Sequence, residues 1–221
     1  MKQSRLIVVE GPDNIGKTTL VKSLETHAKI MSGDVVDIIH QPSGDNILGF
    51  LRSIVKSSAS NLTPFERQLL HTVSHTVDAF MFDKSISTHI MDRSYISALV
   101  YGLLMGIEEV DLSTLYLIHR NLYKHVLKDV KVDLVLLTGE KPFKPKDGSV
   151  YEEINWNKVN TTYKIMQQSL TGGFNKIFYE NHIESTGFYF FTPNESIHEI
   201  HVKSTDSCEH VLELVKQSIG L

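Results

Sequence analysis

The feature that most constrains the fold of this chain is a glycine-framed loop near its start. Residues 10–19 read EGPDNIGKTT, in which Gly11, Gly16, Lys17 and Thr18 satisfy the pattern G-x-x-x-x-G-K-[ST]. The loop follows the β-branched run RLIVVE and precedes TLVKSLETHAKIM, whose apolar residues recur at helical spacing. A strand, such a loop and a helix, in this order, form the setting in which backbone N–H groups bind phosphates.

The loop therefore predicts a binding site for a nucleoside triphosphate. Lys17 is expected to reach the outer phosphates, and the Thr18 hydroxyl to hold Mg²⁺. The guanine-reading motif N-K-x-D of signalling GTPases is missing, since NKVN at 157–160 ends in Asn160. The absence of this motif argues against a signalling GTPase. The residues predicted to bind the nucleoside triphosphate, which the family resemblance given below implies is ATP, are Gly11, Asn14, Ile15, Gly16, Lys17, Thr18 and Thr19.

Composition argues against several other classes of protein. A formal net charge of −4 gives no broad electrostatic reason to bind a nucleic-acid polymer or an acidic membrane. The single cysteine, Cys208, excludes an internal disulfide and a cysteine-cluster metal site. The longest apolar stretch, ISALVYGLLMGI, has 12 residues, which is short of a membrane span, and no signal peptide is evident. These features predict a cytoplasmic protein.

Strand and helix patterns alternate along the chain. Strands are predicted in RLIVVE, DVVDII, HIMD and VDLVLLT, and late strands in GFYFF and IHEIHVK. Helices are predicted in NILGFLRSIV and in PFERQLLHTVSHTVDAFMF, which begins with Pro64 behind Thr63. Later helices are predicted in SYISALVYGLLM, DLSTLYLIHRNLYKHVL and YEEINWNKVNTTYKIMQQSL and at the end of the chain. This alternation favours an α/β fold with a mostly parallel sheet.

Asp92 ends the strand HIMD and Arg93 follows it. An arginine at the end of a parallel strand can bind an anionic group with both arms of its guanidinium. Together with GPDNIGKT and HQPSGDNILGFLRSIV, this pair resembles the thymidylate kinase family of P-loop nucleoside monophosphate kinases. The resemblance runs from residue 4 to about residue 170 and is most specific in the first hundred residues.

The resemblance implies a P-loop NTPase three-layer fold, with a mostly parallel five-stranded sheet flanked by helices. It implies one kinase domain over residues 1–221, with a short lid at about 139–151, and usually a homodimer. The implied activity transfers the γ-phosphate of ATP, with Mg²⁺, to dTMP. The partners would then be ATP and a deoxynucleoside monophosphate.

The resemblance also implies roles for individual residues. Asp13 would face the 3′-hydroxyl of the acceptor deoxyribose, and the Tyr101 ring would crowd the 2′ position. Asp92 would lie beside the reacting phosphates and share Mg²⁺ with Thr18, partly through water. The implied acceptor-binding residues are Asp13, Gln41, Pro42, Arg52, His71, His75, Arg93, Ser97 and Tyr101.

Two of those positions depart from the family. His71 and His75 stand where relatives have a phenylalanine that stacks on thymine and an arginine that hydrogen-bonds its carbonyl edge. Their spacing, with Asp78, places the three on one helical face. Three interpretations remain open for the histidines: a pocket for the acceptor base, a metal site, or solvated or core side chains.

The chain also departs from the family in the side chain that would supply a cation for the transferred phosphoryl group. The phosphate loop has Asn14 and Ile15 where relatives offer an arginine, and the lid sequence GEKPFKPKDGSV contains lysines but no arginine. Either that lid is a solvated charged loop, or a lysine replaces the arginine. The predicted catalytic residues are Lys17, Asp92, Arg93, Lys144 and Lys146.

We expect phosphorylation of dTMP by ATP. The alternatives are a kinase for another deoxynucleotide or a nucleoside, and a nucleotide sensor that binds ATP without turnover.

Overall fold

The computed structural model describes residues 3–31, 33, 35–41, 61–140, 156–164 and 189–221. Its strands are β1 (Arg5–Glu10), β2 (Val36–His40), β3 (Thr88–Asp92), β4 (Lys131–Gly139) and β5 (Ser196–Val202). Its helices are α1 (Lys17–Met31), α2 (Pro64–Phe80), α3 (Tyr95–Leu104), α4 (Glu109–Val126) and α5 (Cys208–Ile219), and residues 156–164 are also helical. The predicted helix NILGFLRSIV lies outside the described residues.

The five strands form one sheet in the order β2-β3-β1-β4-β5, and all pairs are parallel. β1 is central, and its Val8 lies opposite Met91 of β3 and Leu134 of β4. Every residue of β3 and nearly every residue of β1 and β4 is buried, as expected for strands covered on both faces. The predicted α/β class, with its five-stranded parallel sheet, is confirmed.

Helices cover both faces of the sheet and give three layers. Leu6 and Val8 of β1 point to one face, where they join a core with α2, α3 and α4. Ile7 and Val9 point to the other face, where they join a core with α1 and α5. Alternate side chains of one strand thus supply two separate cores, because successive residues of a strand face opposite sides.

Helix α2 begins where the sequence predicts. Pro64 is its first residue, and the Thr63 hydroxyl accepts a hydrogen bond from the Glu66 backbone N–H. The Glu66 carboxylate accepts in return from the Thr63 N–H at 2.8 Å, which completes a capping box. Among the described residues, no helix is both long and apolar enough to cross a membrane.

One strand prediction is wrong. Of the predicted strand GFYFF, the residues that the structure describes, Tyr189–Phe191, form a buried loop. The Phe190 and Phe191 N–H groups donate to the Glu195 carboxylate at 2.8 and 2.7 Å, so that a side chain satisfies backbone groups that a strand partner would otherwise hold. Burial raises the pKa of Glu195, and these backbone donors oppose that shift. The later predicted strand, IHEIHVK, is confirmed as β5.

Candidate active site

The predicted phosphate loop leaves the carboxyl end of the central strand β1. Gly11 adopts a φ of 148°, and a Cβ at this position would lie 2.4 Å from the Leu137 carbonyl oxygen of β4. Only glycine allows the backbone to lie this close to β4, so the first glycine of the motif lets the loop pack against the sheet. The Lys17 Nζ donates to the carbonyl oxygens of Gly11 and Pro12 at 2.9 and 2.5 Å, which holds the ammonium over the loop.

The other predicted ATP-binding residues surround this turn. Asn14 has a left-handed φ of 58°, and Gly16 a φ of 96°. Ile15 is buried, whereas Thr19 is exposed on α1. A small cavity of about 30 Å³ beside the loop is lined by Ile15, Gly16, Thr19, Leu20, Val202, Asp206, Ser207, Cys208 and Val211. The lining from β5 and α5 was not predicted from the sequence.

Asp13, Arg93 and Tyr101 form a cluster beside the loop. The Arg93 guanidinium pairs with Asp13 Oδ1, and the Tyr101 hydroxyl donates to Asp13 Oδ2 at 2.7 Å. A second nitrogen of Arg93 lies 3.4 Å from the Ser97 hydroxyl. Arg93 itself has a left-handed φ of 69°, a conformation that few non-glycine residues adopt and that is frequent at functional sites. The structure therefore brings together residues from the loops after β1 and β3 and from α3.

Thr18 and Asp92 meet across the same edge of the sheet. The Thr18 hydroxyl donates to Asp92 Oδ2 at 2.9 Å, and His40 Nδ1 lies 3.6 Å from the same oxygen. The other oxygen, Oδ1, is buried without a hydrogen-bond partner in the described part of the chain. A hydroxyl and a carboxylate suit Mg²⁺, which is usually held by one or two such protein oxygens together with water and phosphates. These residues fit the implied ion.

Glu10 organises this region, and the sequence interpretation missed it. Its buried carboxylate accepts from the Ser94 N–H at 2.6 Å, the Ser94 hydroxyl at 2.7 Å and the Ser97 N–H at 3.2 Å. It also accepts from the hydroxyls of Ser97 at 2.8 Å and Tyr163 at 3.0 Å. The signal that the sequence offered was an ionisable residue at the end of an otherwise apolar strand, directly before a phosphate loop. Its partners, more than 80 residues away, were not visible in the sequence.

A cavity of about 230 Å³ opens beside the Asp13–Arg93 pair. Its lining is Asp13, Gln41, Arg67, Gln68, His71, His75, Arg93, Ser94, Ser97, Ala98, Tyr101 and Met105. Gln41 Nε2 donates to the Tyr123 hydroxyl at 2.8 Å, while the side-chain oxygens of Gln41 and Gln68 are buried without a partner among the described residues. Seven predicted acceptor-binding residues therefore share one cavity. The structure adds five lining residues that the sequence did not predict: Arg67, Gln68, Ser94, Ala98 and Met105.

The two histidines of α2 belong to this cavity. The His71 and His75 rings are nearly parallel, with centroids 6.3 Å apart. His75 is 2% exposed, and its Nδ1 lies 3.1 Å from Nε2 of His119 on α4. Burial, followed by the neighbouring His119 and His71, lowers the pKa of His75 well below its ordinary value. No group of three or more His, Cys, Asp or Glu side chains is arranged to hold a metal ion in the described ranges.

Four predicted site residues cannot be located. Pro42, Arg52, Lys144 and Lys146 lie outside the described residues, and so does most of the predicted lid at about 139–151. Their expected contacts with the acceptor phosphate and the transferred group stay predictions.

Comparison with known proteins supports the fold. No protein-family model matches the chain, and no curated protein matches it in sequence. Among solved structures, the thymidylate kinase of Ehrlichia chaffeensis is similar with a TM-score of 0.63 and 17% identity, covering 99% of each chain. The thymidylate kinase of Candida albicans, an enzyme with broad substrate specificity, is similar with a TM-score of 0.59 and 16% identity, covering 99% of this chain and 92% of that one. The resemblance to thymidylate kinases is thus confirmed at the level of the fold.

Proposed function

We propose that this protein is a nucleoside monophosphate kinase that transfers the γ-phosphoryl group of ATP to a deoxynucleoside monophosphate. The observation that carries the proposal is the position of Asp13. This residue belongs to the phosphate loop and also lines the cavity of about 230 Å³, where it pairs with Arg93. A donor site and an acceptor site that share a wall are what an in-line transfer between two bound nucleotides requires.

Phosphoryl transfer needs little covalent help, so positioning and charge stabilisation carry most of the rate enhancement. Lys17 and the loop amides would bind the donor phosphates, while Arg93 and Arg52 would hold the acceptor phosphate. Mg²⁺, held at Thr18 and Asp92, would neutralise charge on the phosphates. Gly11 and Asn14 would shape the loop, and residues 202–208 would border the rest of ATP.

The acceptor sugar would bind at the oxygens of Asp13. A carboxylate accepts readily from a sugar 3′-hydroxyl, and the Tyr101 hydroxyl already fixes its orientation at 2.7 Å. The Tyr101 ring would then disfavour a ribose at its 2′ position. Two solved structures that share the fold are thymidylate kinases, which supports dTMP as the first acceptor to test. A different deoxynucleotide is the second candidate, because His75 replaces the arginine that reads thymine in that family.

A homodimer is also proposed, on the basis of the outer faces of α2 and α4. Leu69, Val73 and Phe80 of α2 are 39%, 49% and 73% exposed, and Val110 and Ile118 of α4 are 63% and 42% exposed. Apolar side chains gathered on neighbouring helices favour a protein partner. Sedimentation equilibrium would show a dimer, and Val73→Asp should shift the mass towards the monomer. A monomeric wild type would remove the proposal.

The proposed activity is tested by Lys17→Ala in a coupled assay of ADP release with dTMP and the other deoxynucleoside monophosphates. Loss of the ammonium should lower kcat to below about a tenth of wild type with the fold intact, since the phosphate charge is left unmatched. Lys29→Ala is the matched control, because that exposed lysine of α1 lies on the helix surface, where it pairs with Glu25 at 2.7 Å. A wild type that binds ATP without phosphorylating any acceptor would identify the nucleotide sensor instead.

A further inference from the structure

A chain of three hydrogen-bonding groups runs from α4 to the wall of the acceptor cavity. His119 Nδ1 lies 2.7 Å from the Leu115 carbonyl oxygen, and His119 Nε2 lies 3.1 Å from His75 Nδ1. The His119 ring is stacked on Tyr95, with centroids 4.4 Å apart and an interplanar angle of 4°. His119 is 1% exposed, so packing fixes both its position and the direction of its two nitrogens.

This chain determines which nitrogens carry protons. A carbonyl oxygen can only accept, so the proton of His119 must be on Nδ1. In a neutral imidazole the other nitrogen is then a bare acceptor, and His119 Nε2 must receive a hydrogen bond from His75. His75 therefore carries its own proton on Nδ1. The remaining nitrogen of His75, Nε2, has a lone pair, and His75 lines the cavity.

The opposite arrangement is costly. Moving the His75 proton to Nε2 would require His119 to carry its proton on Nε2, leaving a bare Nδ1 against the Leu115 carbonyl oxygen at 2.7 Å. Adding a second proton instead is opposed by burial, which lowers the pKa of His119 to about 4 and that of His75 well below its ordinary value.

Among the other groups at this end of the cavity, Gln68 does not have a fixed polarity. Gln68 lies two turns before His75 on the same face of α2, and its buried side-chain oxygen lacks a partner in the described part of the chain. An amide can turn to offer its oxygen or its NH₂ group, so Gln68 suits either kind of base edge. His71 is stacked along the same face, and Arg67 can donate to a ring carbonyl. Arg67 is a fixed donor, so His75 supplies the acceptor that a base with an amino group requires.

We infer that His119 fixes His75 as a hydrogen-bond acceptor, and that the acceptor site therefore selects a base bearing an exocyclic amino group, cytosine first, over thymine. This inference rests on the proposed function for the location of the base. The arginine of thymidylate kinases donates to a carbonyl, and a bare imidazole nitrogen does the reverse. A thymine O4 facing His75 would place two lone pairs against each other, whereas the cytosine amino group would donate. Cytosine also keeps a carbonyl, O2, for Arg67.

The ligands to compare are dCMP and dUMP. The base of dCMP has a 4-amino group and a bare N3, whereas the base of dUMP has a 4-oxo group and a protonated N3. Binding by calorimetry and kcat/KM with ATP should both favour dCMP by about tenfold to a hundredfold, the effect of one unmatched buried polar group. Equal affinity for the two ligands, or a preference for dUMP and dTMP, would overturn the inference. A preference for dAMP over dCMP would keep His75 as an acceptor and overturn cytosine as the base.

Variants test the direction of the hydrogen bond. His75→Arg supplies donors and should invert the preference towards dUMP and dTMP, whereas His75→Gln should reduce the ratio to near one because an amide can turn. His119→Phe keeps the stacking on Tyr95 but removes the acceptor nitrogen, so it should also reduce the ratio while leaving the KM for ATP unchanged. His125→Phe, at an exposed histidine of the same helix, is the control and should leave the ratio unchanged.

Nitrogen-15 NMR of labelled histidine reads the proton positions without any substrate. His75 should show a protonated Nδ1 and a bare Nε2 at pH 7.5, and His119→Phe should mix the two forms. A protonated Nε2 in the wild type would refute the inference. The two proposals separate cleanly: tight binding of dCMP without turnover would contradict the kinase activity alone, and turnover of dTMP in preference to dCMP would contradict the base assignment alone.

Discussion

Glu10 shows how one residue can organise a site without facing a ligand. Its carboxylate sits at the end of β1 and collects two N–H and three O–H donors from Ser94, Ser97 and Tyr163. Ser94 also caps helix α3 by accepting from the Ile96 N–H. The same bonds therefore hold the start of α3 and the left-handed turn at Arg93.

Glu10→Gln should lower the free energy of unfolding by about 2–4 kcal/mol, since the amide NH₂ would face donors and leave several of them unmatched. Urea denaturation measures the loss. The KM for the acceptor should rise as well, because the Arg93 turn would loosen. Glu25→Gln, on the surface of α1, is the control and should change stability by less than about 0.5 kcal/mol. A stability loss for Glu10→Gln no larger than the control would show that the five donors find other partners.

Arg93 is expected to act on the acceptor nucleotide more than on ATP. A partly desolvated charge-assisted bond contributes about 1.5–3 kcal/mol, so Arg93→Ala should raise the acceptor KM by about tenfold to a hundredfold. Steady-state kinetics with each substrate varied in turn gives both constants. Arg93→Lys should recover part of the affinity without the paired geometry of a guanidinium. An equal rise in the KM for ATP would remove the acceptor role.

Among the elements, helix α2 shows what the sequence could and could not reveal. Its start at Pro64 and the alignment of His71 with His75 on one face follow from local rules, a capping box and a repeat of 3.6 residues. The partner of His75, by contrast, is 44 residues away on α4, and no local rule gives that distance. The Tyr189–Phe191 loop was mistaken for a strand because aromatic residues suit both a strand and a buried loop.

The lid element is predicted from sequence alone, since residues 141–155 lie outside the described residues. Lys144 and Lys146 are proposed to supply the cation for the transferred phosphoryl group in place of an arginine, with a smaller effect because an ammonium lacks the planar fork. Replacing both with glutamine should lower kcat by about tenfold to a thousandfold, below the roughly 10³–10⁵ that an arginine finger gives. A kcat within about twofold of wild type would leave these lysines as solvated surface charges.

At the scale of the molecule, an all-parallel sheet places the ends of β1, β2 and β3 along one edge. The sequence predicted this arrangement because strands and helices alternate in it, and parallel strands end on the same side. The sequence also predicted that Asp13, Asp92 and Arg93 lie at that edge of the sheet. The lining that β5 and α5 give to the phosphate-loop cavity was not predicted, because their order in the sheet does not follow from the order of the chain.

Stability should fall as the pH falls through the histidine range. His119 is neutral when folded, with a pKa of about 4, whereas an unfolded histidine titrates near pH 6.5. Protons therefore bind the unfolded chain first, and the free energy of unfolding should drop by roughly 3 kcal/mol between pH 6.5 and 4 from this residue alone. Urea titrations across that range should show a shallower slope for His119→Phe than for wild type, and His125→Phe should follow the wild type. Parallel slopes for all three proteins would mean that His119 is not buried in neutral form.

The helical segment 156–164 gives the molecule an intrinsic optical reporter. Trp156 is the single tryptophan of the sequence, it is 5% exposed, and its indole N–H donates to the Asp13 carbonyl oxygen in the phosphate loop at 2.9 Å. Because indole emission depends on this hydrogen bond, binding of a nucleotide at the phosphate loop should change the emission wavelength or intensity. Titration with ATP would then yield a dissociation constant from the unlabelled protein, and the same signal, followed in a stopped-flow instrument, would time the arrival of nucleotide.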